Sequence, residues 1–167
     1  VVLPSFLIIL LVATILKHII KNQYEDARRI LKNIVDANPK NIQAWSLLSS
    51  VMMQQADAAK DPKEKKRIEK EIENSIIPQM DKNADNQFNY HVQMTKSFLL
   101  LRRGENKRRE ARDAFAQAAS AHPDVAAVQD IVLQLDISLN DTEDAEKHAR
   151  RILKRNRKAP LANYVMG

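Results

Sequence analysis

Small and apolar residues recur at helical spacing along most of this chain, and the recurrence itself repeats. Ala27 and Leu31 lead to Asn38-Pro39. Ala111, Phe115 and Ala118 lead to His122-Pro123, and Ala145, Ala149 and Ile152 lead to Asn156-Arg157. In each stretch a small residue precedes packing residues four and then three or four positions on, and a turn closes the run. A weaker copy passes through Ile72 and Ile76 to Asn83-Ala84-Asp85-Asn86. Such spacing puts the apolar side chains on one face of a helix. Repetition of the whole pattern predicts stacked helix pairs rather than one closed core.

Pro39, Ala84, Pro123 and Arg157 take equivalent turn positions, at intervals of 45, 39 and 34 residues. Small residues at Ala27, Ala111 and Ala145 let paired helices approach closely, while Leu31, Phe115 and Ile152 fill the grooves between pairs. Each second helix is expected to end where proline withholds an amide and biases its predecessor away from helix. The first interval holds about eleven residues beyond a 34-residue unit. They fall at Gln55 to Pro62, lengthening either the turn or the helices beside it. Asp61-Pro62 is a helix start, with Asp as cap and Pro in first place. The charged stretch after it carries only the narrow stripe Ile68, Ile72 and Ile76, and Pro78 is expected to end or kink that helix. About five further residues are expected to form an extra turn around residues 102–109.

These units resemble the tetratricopeptide-repeat family over nearly the whole chain. The residues that carry the likeness are Tyr24, Ala27 and Pro39 in the first unit, and Ala44-Trp45, Leu48, Ser49 and Met52 in the second. Tyr90, Ala111, Phe115, Ala118 and Pro123 carry it in the third, and Val132, Leu133, Ala145, Ile152 and Leu153 in the fourth. Ala162-Asn163-Tyr164 with Met166-Gly167 resembles the start of a fifth. The resemblance implies an all-α fold, a right-handed superhelical array of antiparallel helix hairpins with about four repeats, the middle two enlarged. As one repeat domain its units are 8–41, 42–86, 87–125, 126–159 and an opening at 160–167. It further implies a protein-interaction scaffold whose groove, lined by the first helix of each pair, takes a peptide or amphipathic helix of a partner. Carried over by phase, the groove positions are Gln43, Ser46, Ser50 and Gln54, then His91, Met94 and Phe98, then Asp130 and Gln134. Repeats of this family that clamp the acidic tails of heat-shock chaperones use Lys and Asn there; this chain has Gln, Ser and Asp.

Charge adds an alternative. The net charge of +6 is unevenly placed, with one basic tract through Arg108, Arg109 and Arg112 and another through Arg150, Arg151, Lys154 and Arg155. Clustered cations of this kind track phosphates or anionic lipid. Few aromatic residues accompany them to stack on bases, which disfavours nucleic acid.

Candidate chemistry is sparse. With no cysteine, disulfides, thiolate metal sites and cysteine nucleophiles are excluded. His18, His91, His122 and His148 have no His or carboxylate at metal-ligand spacing, and no phosphate loop or nucleophile elbow occurs. Neither catalysis, a cofactor nor a metal is expected. Carboxylate pairs lie on charged helical faces, where solvation and pairing along the helix account for them. Asn140-Asp141-Thr142 forms a glycosylation sequon at a turn, where helix capping is the expected role.

Residues 1–16 carry no charge. They read as the first helix of repeat one, as a membrane anchor extending to residue 20, or, without the expected basic start, as a secretory signal. As an anchor, the Lys and Arg residues after it place the repeats in the cytoplasm. A start without Met and an end that opens a new helix predict a piece of a longer repeat protein, packing at both ends against further repeats or another copy.

Overall fold

A computed structural model describes residues 23–85 and 89–167. Among them the chain is all-α and divides after Asp85 into two compact units. The expected helix over the N-terminal apolar run lies outside the described residues.

In the first unit, α1 (Tyr24–Ala37) starts at the tyrosine where the sequence predicts a second helix of a pair. It buries Ala27, Leu31 and Val35, the residues of its apolar stripe, against α2 (Ile42–Ala58). The α2 start is fixed by Asn41, whose side chain accepts the Ala44 amide at 3.0 Å. This helix is enclosed on two sides and buries Trp45, Leu48, Val51, Met52, Met53 and Ala56. Trp45 donates its Nε1–H to the Pro39 carbonyl at 2.9 Å, tying α2 to the turn before it.

The helix that follows is α3 (Pro62–Glu71), a π-helical turn (Ile72–Ile76) and α4 (Ile77–Asn83) without a break. Asp61 caps it, accepting the Lys63 amide at 2.9 Å, with Pro62 in first place as predicted. The extra residues of this repeat therefore lengthen the helices, not the turn. Pro78 neither ends the helix nor breaks its dihedrals. The π turn, in which the Ile77 amide reaches back to the Ile72 carbonyl, widens the coil one turn ahead of the ring that would strike it. Ile68, Ile72, Ile76, Ile77 and Met80 pack along α2.

In the second unit, α5 (Tyr90–Leu101) pairs with α6 (Arg108–Ala121), and α7 (Ala126–Ser138) pairs with α8 (Thr142–Arg155). Then α9 (Pro160–Met166) packs on α8 and α7. The extra turn expected around residues 102–109 is a bend at Gly104, at φ +99°, and a 3₁₀ turn, Glu105–Lys107. A Cβ would be strained at that φ. Phe115, Ala118, Val128 and Val132 form a core across α5, α6 and α7, with Phe98 edge-on to Phe115 at 5.0 Å. Leu133, Ala145, Ala149, Ile152 and Ala162 form another across α7, α8 and α9.

The repetition is one of hydrogen bonds as well as residues. Asn38, His122 and Asn156 each end a helix by donating their amide to the carbonyl four residues back. Each then accepts, on its own carbonyl, the amide three residues on. All three have similar extended dihedrals, φ −142°, −130° and −135°. Ala84, the fourth predicted turn, ends its helix at φ −72°.

Candidate functional site

The paired helices divide the labour of solvation unequally. Call α2, α5 and α7 the A helices and α1, α3, α6 and α8 the B helices. Only Asp57 in α2, Lys96 in α5, and Asp130 and Asp136 in α7 are charged. Most of the exposed residues of the B helices are Lys, Arg, Asp or Glu.

On the A helices, Gln43 and Ser50 are exposed, with Ser46 and Gln54 half-buried beside them on α2. In the second unit Gln134 and Phe98 are exposed, the latter at 40%, and Asp130 is half-buried. Met94 belongs to the core against Phe115 and presents almost no surface. His91 is half-buried beside Tyr90, which also meets His122 edge-on at 5.1 Å. Burial, then the neighbouring His122, holds the His91 imidazole below its ordinary value.

The basic tracts separate into two groups. Arg108, Arg109 and Arg112 lie in the first turns of α6. Arg108 pairs with Glu105, Arg109 with Asp141 at 3.2 Å, and Arg150 of α8 with Glu146 at 3.2 Å. Arg112 is no surface cation at all. Its Nε donates to Asp136 Oδ1 at 2.5 Å, one Nη donates to Asp144 and the other to Asp113 at 3.0 Å. Burial opposes the Arg112 charge, but the hydrogen bonds to these carboxylates hold its pKa above the ordinary value. The bond from Arg112 in turn holds the Asp144 carboxyl below the usual carboxylate range. Asp136 is wholly buried, and its other oxygen lies 2.6 Å from His148 Nδ1. One carboxylate thus ties α6 to α8 through α7. The sequence reading, which put carboxylates on charged faces, missed it. The available signal was an aspartate among Val128, Val132, Leu133 and Leu135 on the packed side of α7.

Arg28 of α1 stands where Arg112 stands in α6, one residue after the small Ala. It bridges likewise, to Glu71 of the next B helix at 2.8 Å and to Gln55 of the intervening A helix at 3.0 Å. In both units successive B helices are therefore held across a valley floored by an A helix. In the second unit this valley opens, beyond Arg112, into a cleft of about 630 Å³. Ala119 and Ser120 of α6, Gln129 and Asp130 of α7, and Arg151, Ile152 and Arg155 of α8 line it. The cleft brings Asp130 from the predicted groove set together with Arg151, Lys154 and Arg155 from the basic set. Gln129, at the position where Trp45 reaches the Pro39 turn, donates instead to the last turn of the preceding B helix, at the Ala119 carbonyl, 2.8 Å away.

The Asn140-Asp141 turn caps a helix differently from expectation. Asn140 takes a left-handed conformation, φ 56°, and its amide and that of Asp141 return to the Ile137 and Asp136 carbonyls. This is a Schellman closure of α7. The Asp141 side chain makes no cap for α8 and faces Arg109 instead. Among the described residues, no group of three or more His, Asp or Glu is placed to hold a metal ion. No described helix is long and apolar enough to cross a membrane.

No family model and no curated protein matches the sequence. Solved structures do match the fold. A thermophilic tetratricopeptide-repeat protein of Thermus thermophilus superimposes with a TM-score of 0.71 at 15% identity, over 91% of this chain and 76% of its own. A chain in the structure of Naa15/Naa10 bound to HypK-THB does so with a TM-score of 0.65 at 16% identity. That match takes in 94% of this chain but 22% of the other. With the repeated turns and the alternating A and B helices, these likenesses establish a tetratricopeptide-like, all-α helical-repeat fold for this chain.

Proposed function

We propose that the chain is a protein-interaction scaffold that receives a peptide or helix of a partner on its A helices. The observation behind this is the near absence of charge from their exposed strips. On α2 that strip is Gln43, Ser46, Ser50 and Gln54. In the second unit Phe98, Asp130 and Gln134 stand in the same role. Removing water from uncharged amides and hydroxyls costs far less than removing it from Lys or Glu, and a partner restores their hydrogen bonds. The charged B helices already meet the demand for solubility, so the A strips are free for contact. A neighbour of the same fold, in the Naa15/Naa10 structure, is part of a protein assembly, which fits this reading.

The test is partner capture from cells expressing the protein, compared between wild type and Ser50→Glu or Gln134→Glu chains of unchanged helicity. A specific protein retained by wild type and lost from these variants is the expected result. Equal recovery by all three chains would sink the reading.

A further inference from the structure

The charges of α6 and α8 are paired, with three exceptions. Every ionised residue of α6 has an opposite partner: Arg108, Arg109, Glu110, Arg112 and Asp113. On α8, Glu143, Asp144, Glu146, Lys147 and Arg150 are also paired. Arg151, Lys154 and Arg155 make no ion pair or hydrogen bond among the described residues, and all three border the cleft. Across it, Asp124 and Asp130 are equally without partners. Charges of both signs thus face one another over an open space and do not close it.

From this we infer that the cleft between α6 and α8 is a second docking site, taking a short acidic segment of a partner protein in extended form. The α8 wall is a helical stripe: His148, Arg151, Ile152 and Arg155 fall at spacings of three and four. Its lower members are buried and its upper members are free cations. The floor adds Ala119 and Ile152, which suits small apolar side chains between acidic ones. A space of about 630 Å³ has room for a few extended residues. Polyanions fit poorly. A polyanion charged at every unit cannot avoid Asp124 and Asp130 on the opposite wall, whereas a peptide can turn its acidic side chains to α8 and neutral ones to the aspartates. No Phe, Tyr or Trp lines the cleft for bases to stack on. The helix dipole accounts for cations in the last turn of α8, but Arg151 lies a full turn earlier.

The unit-one valley sharpens the contrast. Its cations are spent internally: Arg28 on Glu71, Arg29 on Asp26 and Lys32 on Asp36.

A display library of short random peptides, selected on the purified 167-residue chain, tests the site. Binders are measured by fluorescence anisotropy against the Arg151→Glu/Arg155→Glu chain, with Arg150→Glu as the paired control on the same helix. Enriched peptides should carry acidic residues, lose at least about tenfold in affinity on the double variant and weaken with salt. Arg150→Glu should bind like wild type, and circular dichroism should show all chains equally helical. The inference is overturned if no binder emerges, if binders lack an acidic bias, or if the double variant binds them normally. Peptides sensitive only to Ser50→Glu or Gln134→Glu would overturn it and leave the A-helix reading standing. Homopolymeric RNA or phosphatidylserine vesicles binding more tightly than any peptide, with loss on the double variant, would make the cleft a polyanion surface instead.

Discussion

Arg112 and Asp136 meet at 2.5 Å on neighbouring helices, with the aspartate wholly buried and the arginine side chain 13% exposed. Charges so placed are held because every acceptor is used. One Asp136 oxygen takes Arg112 and the other faces His148, while the remaining Arg112 donors reach Asp113 and Asp144. Arg28, 84 residues earlier, has the same position and bridges to Glu71 from a more exposed setting. The recurring bridge holds one B helix to the next where the two do not pack directly.

Removing one partner of such a pair strands the other. Asp136→Ala leaves the Arg112 cation desolvated and the His148 ring without its acceptor, and should cost about 3–5 kcal/mol. Replacing both members by apolar residues, Arg112→Met with Asp136→Leu, should recover most of that loss. Urea unfolding with unchanged slope measures both. If the double replacement is as unstable as Asp136→Ala, the pair contributes more than mutual neutralisation.

His91 gives the fold a dependence on mild acid. Its imidazole is held below the ordinary value by burial and then by His122, so the unfolded chain binds that proton more readily than the folded one. Stability therefore falls as pH drops through about 6.5 and continues to fall until the folded group is protonated as well. His91→Gln should lose less stability than wild type between pH 7.5 and 5.5 by urea unfolding. An unchanged difference between the two pH values would refute the assignment.

The closure of α7 rests on a non-glycine residue in left-handed backbone. Asn140 tolerates φ 56° better than other side chains do. Asn140→Ala should cost about 1 kcal/mol, whereas Asn140→Gly should hold or raise stability. Thermal melts order the three chains. Equal melting of Ala and Gly variants would mean the turn relaxes to another conformation.

Periodicity made the helices legible because their apolar stripes are local. Ala27 and Leu31, or Ala111 and Phe115, announce a packed face without reference to any other part of the chain. Turns were legible for the same reason: Asp61-Pro62 and His122-Pro123 act within a few residues. What the sequence concealed was pairing between helices. Arg112 reads as one more cation in a basic tract until Asp136, 24 positions on, arrives beside it. The cleft was hidden likewise, since Asp130 and Arg151, 21 positions apart in the chain, meet only when α7 and α8 fold together. The course of the chain at Pro78 was half visible. Proline signalled a disturbance, but whether a helix breaks or widens depends on how firmly its flanks are packed. Here Ile68, Ile72, Ile76 and Met80 are all buried against α2.

That widened turn is open to a direct test. An α-helix with Pro78 in its interior would drive the ring into the carbonyl four residues back, at a cost of about 3 kcal/mol. The π turn Ile72–Ile76 holds one residue more than an α turn and moves that carbonyl aside. Deleting the exposed Asn74 should return the turn to α geometry and restore the clash, costing about 3 kcal/mol. Pro78→Ala alone should change stability little, because the π turn tolerates either residue. Combined with the deletion it should rescue the fold, since alanine supplies the missing amide and removes the ring. The signature is therefore coupling: the deletion is costly with Pro78 and cheap with alanine, read from melting temperature and helical ellipticity. Should the deletion cost the same in both backgrounds, the π turn does not serve the proline, and its origin lies in the packing of Ile76 and Ile77.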